Sequence, residues 1–219
     1  MLQALDGPLL SSHGCLFGGG TAIALRHGEY RESVDMDFLV SYLPGYRALR
    51  EMLTGAQNLN PITRPGQPLE LARELRTDQY GLRTLVQTDG VATKLEIVHE
   101  ARITLDAPAA GDALCGVPTL TSLDMAASKL LANSDASADD AVYSRDLIDL
   151  AMMQPGRALL RRAIDKAAGA YGQSIQTDLA KAIGRLRERP GRLDACRQAL
   201  RMGAVPAAVL WARIRRLQG

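Results

Sequence analysis

Gly18-Gly19-Gly20-Thr21, followed after a short interval by Ser33-Val34-Asp35-Met36-Asp37-Phe38, decides how this chain is read. Residues 12–17 end in an apolar run and predict a strand entering a tight glycine turn. Thr21 is placed to cap a short helix over 22–27. Residues 33–40 predict a second strand, because Val34, Met36, Phe38 and Val40 alternate with Ser33, Asp35, Asp37 and Leu39. Period two sets Asp35 and Asp37 on one face, their Cα atoms roughly 7 Å apart.

Two carboxylates placed this way repel unless a positive charge lies between them. A hard divalent cation meets that need, and Mg²⁺ commonly takes one or two carboxylates together with substrate phosphates. Glycine N–H groups at the start of a helix suit a phosphate tail, and the missing Cβ lets a triphosphate come close. Taken singly, the glycines read as a turn and the aspartates as a solvated edge strand. The order strand, glycine turn, helix, strand with Asp-x-Asp turns the reading toward a nucleotide and metal site.

Working outward, residues 46–53 predict a helix and 58–68, with three prolines, a loop. Residues 82–88 and 91–100 read as strands joined at Asp89-Gly90, a strong hairpin signal. In the second of these, Leu95, Ile97 and His99 share one face, and Lys94, Glu96 and Val98 the other. A short strand over 114–117 falls in the connector 108–118. Beyond it the periodicity is helical, over 123–131, 141–153, 158–171, 175–187, 193–202 and 207–217, with a polar loop at 133–140. The expected fold is α+β: a mixed β-sheet core with flanking helices over 1–118, then an all-helical C-terminal lobe over 119–219.

Gly19-Gly20-Thr21-Ala22, Leu25-Arg26, Arg31, Ser33, Asp35, Asp37 and Phe38 together resemble the first motif of the nucleotidyltransferase (polymerase β-like) superfamily. More narrowly they resemble its AbiEii-type toxin branch, from bacterial abortive-infection and toxin–antitoxin systems, with a GG(T/S) turn and an R-x-S-x-D-x-D strand. Lys94-Leu95-Glu96-Ile97-Val98 is similar to the segment that carries a third carboxylate. The run from Leu123 to Leu131, bearing Lys129, is similar to the branch's lysine helix, and Arg145-Asp146-Leu147-Ile148-Asp149-Leu150 to its RDxxDL helix. Three features depart from the pattern: the extra Gly18, Ser128 where an apolar residue is frequent, and the acidic stretch 134–140.

The resemblance implies a nucleotidyltransferase-like core and transfer of a nucleoside monophosphate from an NTP, releasing pyrophosphate. It implies that Asp35, Asp37 and Glu96 hold Mg²⁺ or Mn²⁺, with Glu96 also taking the acceptor's proton. Gly19, Gly20, Thr21, Arg26 and Ser33 would bind the nucleotide, Lys129 would stabilise the departing phosphates, and Asp146 or Asp149 would belong to the active site. A toxin of this branch implies a cognate antitoxin. From the residues alone, Glu96 can instead pair with a cross-strand arginine, Lys129 can be a surface lysine, and Arg145 can pair with Asp149 at i,i+4. His13, His27 and His99 are not spaced as metal ligands.

The chain has 219 residues, 26 basic against 24 acidic, a net charge of +2. Residues 1–155 hold 12 basic and 20 acidic side chains, net −8, and residues 156–219 hold 14 and 4, net +10. That asymmetry points the helical half at a polyanion such as tRNA, where an amino-sugar acceptor would need an acidic pocket. Aromatics are 4% of residues, which argues against a base-stacking platform. Cys15, Cys115 and Cys196 are too sparse for a zinc site or a disulfide framework, so a reduced cytoplasmic setting is expected. No apolar stretch nears the ~18 residues of a membrane span, and the first residues do not read as a signal peptide. Two other readings stay open: a catalytically inactive nucleotide or RNA binder of the same fold, and a nucleotidyltransferase acting on a protein or on a small molecule such as an aminoglycoside.

Overall fold

The computed structural model describes residues 1–88, 90–136 and 138–218; Asp89 of the expected Asp-Gly turn lies outside the described residues. The chain divides into two compact units, Met1–Ala22 with Val34–Thr121, and Ile23–Ser33 with Ser122–Gly219. Residues 23–33, which fall within the expected 1–118 core, group with the helices.

In the first unit, Asp6 caps α1 (Gly7–Ser12) by accepting from the Leu9 N–H, and Pro8 sits in its first turn, where no intrahelical donor is lost. This cap draws Ser12 into a helix, so the strand expected from residue 12 shortens to β1 (Leu16–Gly18). α2 (Gly19–Arg26) follows without a break, its residues up to Ala22 grouping with the first unit and those from Ile23 on with the second. Next come β2 (Met36–Val40), α3 (Leu43–Ala56), β3 (Glu70–Thr77), β4 (Gly81–Thr88), β5 (Val91–His99) and a small hairpin of β6 (Ala113–Leu114) and β7 (Val117–Pro118).

Five strands form one mixed sheet in the order β1-β2-β5-β4-β3. Only β2 and β5 run parallel in it; the neighbouring pairs are antiparallel. One face is apolar: Met36, Phe38, Val40, Leu82, Val86, Leu95 and Ile97 are buried, as are Tyr46, Leu49 and Leu53 of α3. The Phe17 and Phe38 rings lie 5.3 Å apart, and Tyr46 stacks on His99 at the same distance. β3 was not expected. It is an edge strand whose apolar residues, Leu71 and Leu75, are only half-buried among charges, so it lacks the pattern of a core strand.

The second unit joins residues 23–33 to α4 (Ser122–Ala136), α5 (Arg145–Met152), α6 (Arg157–Tyr171), α7 (Ser174–Glu188), α8 (Arg192–Ala199) and α9 (Ala207–Arg215). α4 is its centre and packs on α5, α6 and α7. Its buried Ala126 and Ala127 permit close approach, while Met125, Leu130 and Leu131 supply apolar area. The loop expected from residue 133 begins later, because Asn133 is buried and α4 runs on to Ala136. The helix expected from residue 141 starts at Arg145, since Tyr143 and Ser144 both take left-handed backbone, φ 50° and 53°. Among the described residues no helix is long and apolar enough to cross a membrane.

Candidate active site

The first part of the site lies where β1 meets α2. The helix begins at Gly19 itself, so Gly20 and Thr21 occupy its first turn; the expectation that Thr21 caps a helix from residue 22 is corrected. Gly19 has φ +68°, and a Cβ there would stand 2.3 Å from Asp37 Oδ2 and 2.8 Å from Asp37 Cβ. Only glycine meets both the conformation and the space. The N–H groups of a helix's first turn have no intrahelical partner, which makes this end of α2 suited to an anion.

The strand expected from Ser33 starts at Met36. Val34 is 52% exposed, and pairing with β5 begins only where Met36 faces Leu95. Asp35 is therefore exposed and stands just ahead of the strand, while Asp37 is half-buried within it. Register carries Asp37 to Glu96, its Cα partner across the parallel pair. It continues from Gly18 to Asp37 on one side and from Glu96 to Arg83 on the other. Paired residues show their side chains on the same face, so Asp37, Glu96 and Arg83 form a polar row opposite the apolar face.

Glu96 has both carboxylate oxygens engaged, one by Arg83 Nε and the other by Lys94 Nζ. Arg83 extends the chain to Asp78 at 2.9 Å, and its pKa is raised by the bonds to Glu96 and Asp78. The cross-strand arginine pair thus exists, on the same face as Asp37. Among the described residues no three His, Cys, Asp or Glu side chains form a group able to hold a metal ion. Asp37 and Glu96 are nevertheless an adjacent all-oxygen donor pair, the hard type that Mg²⁺ and Mn²⁺ accept, and two carboxylates suffice when phosphates complete the shell.

The second unit holds the other candidates. Lys129 on α4 is buried, not a surface lysine, and its Nζ lies 2.8 Å from both Asp146 Oδ1 and Asp149 Oδ2. Asp149 is wholly buried and accepts three more hydrogen bonds: from Tyr30 Oη at 2.6 Å, Arg31 Nε at 2.7 Å and Arg31 Nη2 at 2.9 Å. The Arg145–Asp149 pair that the i,i+4 spacing allows does not form among the described residues. Arg145 is exposed, 3.9 Å from Asp146, and the Asp149 oxygens are already filled by buried donors.

Burial alone would raise the Asp149 pKa, but Lys129 and Arg31 outweigh it and hold the carboxyl below its ordinary value. Burial would likewise lower Lys129, yet Asp149 and then Asp146 raise it above its usual value. Burial first, and then Asp149, raises the Tyr30 phenol.

Arg26 sits half-buried in the last turn of α2, and Ser33 is half-buried ahead of β2. The structure therefore brings Asp37 and Glu96 together in the first unit, and Lys129, Asp146 and Asp149 in the second. Sequence reasoning gave Tyr30 no role and Arg31 none beyond its place in the motif. Their partner is more than a hundred positions away, and no local pattern announces it.

Comparison with curated proteins finds no match. Among solved structures, a protein from H. pylori described as a candidate nucleotidyltransferase aligns at 17% identity and TM-score 0.48, covering 97% of this chain and 89% of that one. JHP933 from Helicobacter pylori aligns at 18% identity and TM-score 0.46, covering 97% and 87%. Residues 3–214 match the family described as nucleotidyl transferase AbiEii toxin, Type IV TA system. With nearly its whole length matched, the chain belongs to the AbiEii nucleotidyltransferase toxin family.

Proposed function

We propose that this nucleotidyltransferase moves a nucleoside monophosphate from an NTP onto an RNA acceptor, tRNA being the acceptor we favour, in a reaction dependent on Mg²⁺ or Mn²⁺. One observation carries the reading: Asp37 and Glu96 are direct register partners, and Gly19 gives up its Cβ to pass against Asp37. Asp37 and Glu96, joined by the exposed Asp35, would hold the cation. Bound there, a divalent cation neutralises the carboxylates and polarises phosphoryl oxygens.

The chain's own groups do the rest. The first-turn amides of α2 at Gly19, Gly20 and Thr21 receive the phosphate tail, with Arg26 and Ser33 nearby in sequence. Glu96 accepts the acceptor hydroxyl's proton at a carboxylate oxygen, once that oxygen is released by Arg83 or Lys94. Lys129 offsets charge on the leaving phosphates. Asp149, enclosed by four donors, positions Lys129, and the less buried Asp146 is the aspartate we assign to the site. Phosphoryl transfer needs mainly positioning and electrostatics, and these residues are suited to both. We further propose that the protein acts in the cytoplasm and is opposed by a cognate antitoxin.

The test incubates the protein with each radiolabelled NTP and total RNA, with Mg²⁺, Mn²⁺ or EDTA, beside Asp37→Ala. Label should enter RNA, require the metal and vanish in the variant. Label on a protein band with unlabelled RNA overturns the RNA acceptor. No incorporation from any NTP into any acceptor overturns turnover itself and favours a nucleotide or RNA binder.

A further inference from the structure

The basic surplus of the helical unit is not evenly spent. Arg189 and Arg192 pair with Asp140, Arg187 with Glu188, Arg197 with Asp194, and Arg201 with Glu32. A different set of arginines converges on a cleft of about 700 Å³ between the start of α6 and the end of α9. It is lined by Arg157, Arg213, Arg215 and Arg216, together with Gln154 and Gly156, and no acidic residue takes part. Among the described residues, none of these four arginines has an acidic partner. Arg213 is half-buried, and its recorded partner is the sulfur of Met152 at 3.1 Å, a weak acceptor that carries no charge.

Helix electrostatics explain only part of this. Arg213 and Arg215 lie in the last turn of α9, where a cation suits the negative end of the dipole. Arg157 is the opposite case. It is the first residue of the fifteen-residue α6, whose first turn has no acidic residue and whose N-cap, Gly156, offers no side chain. A guanidinium there adds positive charge to the positive end of a helix. The same field reaches His27, whose pKa is held down by partial burial and then by Arg26 and Arg213. Four cations, one of them partly desolvated, and an uncapped helix start face one space with no counter-charge among the described residues. An anion with several acceptor oxygens is what such an arrangement binds.

We infer that this cleft is a docking site for phosphate groups. Guanidinium forks match phosphate oxygens in pairs, and arginine tolerates desolvation better than lysine. A second cleft of about 640 Å³ shares Arg157 and Arg216 and is floored by Leu160, Ile164, Leu179 and Ile183. A phosphate held by the arginines would leave an attached ribose or base against that apolar wall. A phosphodiester strand and a free polyphosphate share this chemistry; the strand as source rests on the RNA reading above, while the phosphate site does not.

Binding without NTP tests the cleft apart from catalysis. A short fluorescein-labelled single-stranded RNA is titrated by anisotropy at several KCl concentrations, and inorganic tripolyphosphate is followed by thermal shift. R157Q/R216Q removes two exposed charges of the cleft, and R187Q/R189Q removes two exposed, paired charges elsewhere in the unit. The cleft variant should bind RNA about tenfold more weakly, with a salt slope shallower by about 1.4, near 0.7 for each lost phosphate contact. The control should change little, and both variants should melt as the wild type does. If wild type binds only tripolyphosphate and R157Q/R216Q abolishes its thermal shift, the phosphate site stands and its source is free polyphosphate. Equal weakening by both variants, or no effect of R157Q/R216Q on either probe, overturns the inference.

Discussion

Asp37 and Glu96 face each other across the parallel β2–β5 pair, so an aspartate of the Asp-x-Asp run and a glutamate of a distant hairpin share one face of the sheet. If Glu96 takes the acceptor's proton, Glu96→Gln should lower nucleotide transfer by roughly 10²–10⁴-fold. Its ion partners Arg83 and Lys94 are each about two-fifths exposed, so folding stability should change by less than about 1 kcal/mol. Full turnover in this variant would remove Glu96 from the site.

Gly19 gives a second prediction. Gly19→Ala forces φ +68° on a residue with a Cβ and drives that atom into Asp37. The cost should be about 1–3 kcal/mol in urea unfolding, with loss of transfer as Asp37 is displaced. Gly55→Ala, within α3 and facing open space, should instead gain about 0.5–1 kcal/mol. Equal behaviour of the two variants would contradict the close approach.

The Asp149 cluster separates stability from chemistry. Asp149→Asn leaves Arg31 and Lys129 buried with too little counter-charge and should cost about 3–5 kcal/mol. Tyr30→Phe removes a single donor and should cost about 0.5–1.5 kcal/mol. Asp146→Asn should be milder in unfolding than Asp149→Asn but more damaging to turnover per unit of stability lost. The reverse order would exchange the two aspartates' roles.

The same cluster fixes a pH dependence. Asp149 has a folded pKa below its unfolded value, so its stabilisation is present above the ordinary aspartate range and disappears as pH falls through the depressed value. Lys129 has a raised folded pKa, so its share is present below the ordinary lysine value and is lost as pH climbs through the raised one. Thermal unfolding should therefore show no contribution from this pair to the slope between about pH 5 and 9. Asp149→Asn should flatten the acid limb measured by circular dichroism. An acid limb unchanged by that substitution would show that Asp149 does not set it.

Much of this was legible in local patterns. The alternation through Met36, Phe38 and Val40 locates β2 and puts Asp37 on the face opposite the core, and the hairpin around Gly90 puts Glu96 on a strand. Proline and glycine punctuation marks off α6 and α7 to within a residue, while α8 ends three residues and α9 two residues before the expected bounds of 202 and 217. What local pattern does not encode is closeness across the chain. Nothing near Gly19 states that Asp37 will crowd it. Nothing near Arg145 states that Asp149 will turn to Arg31 instead. β3 is missed for a different reason: both of its sides are largely exposed and its pairing with β4 is shifted by bulges, so no buried face imposes period two.

Residues 23–33 have a final consequence. They belong to the helical unit, yet the chain leaves it for the whole span of residues 34–121 before returning. A truncated gene product beginning at Ser122 would carry Asp149 and Lys129 without Tyr30 or Arg31, missing three of the donor bonds that fill the aspartate. The helical unit is thus not a separable cassette. Swapping it between relatives at the obvious linker would graft helices without the internal strut that completes their polar centre.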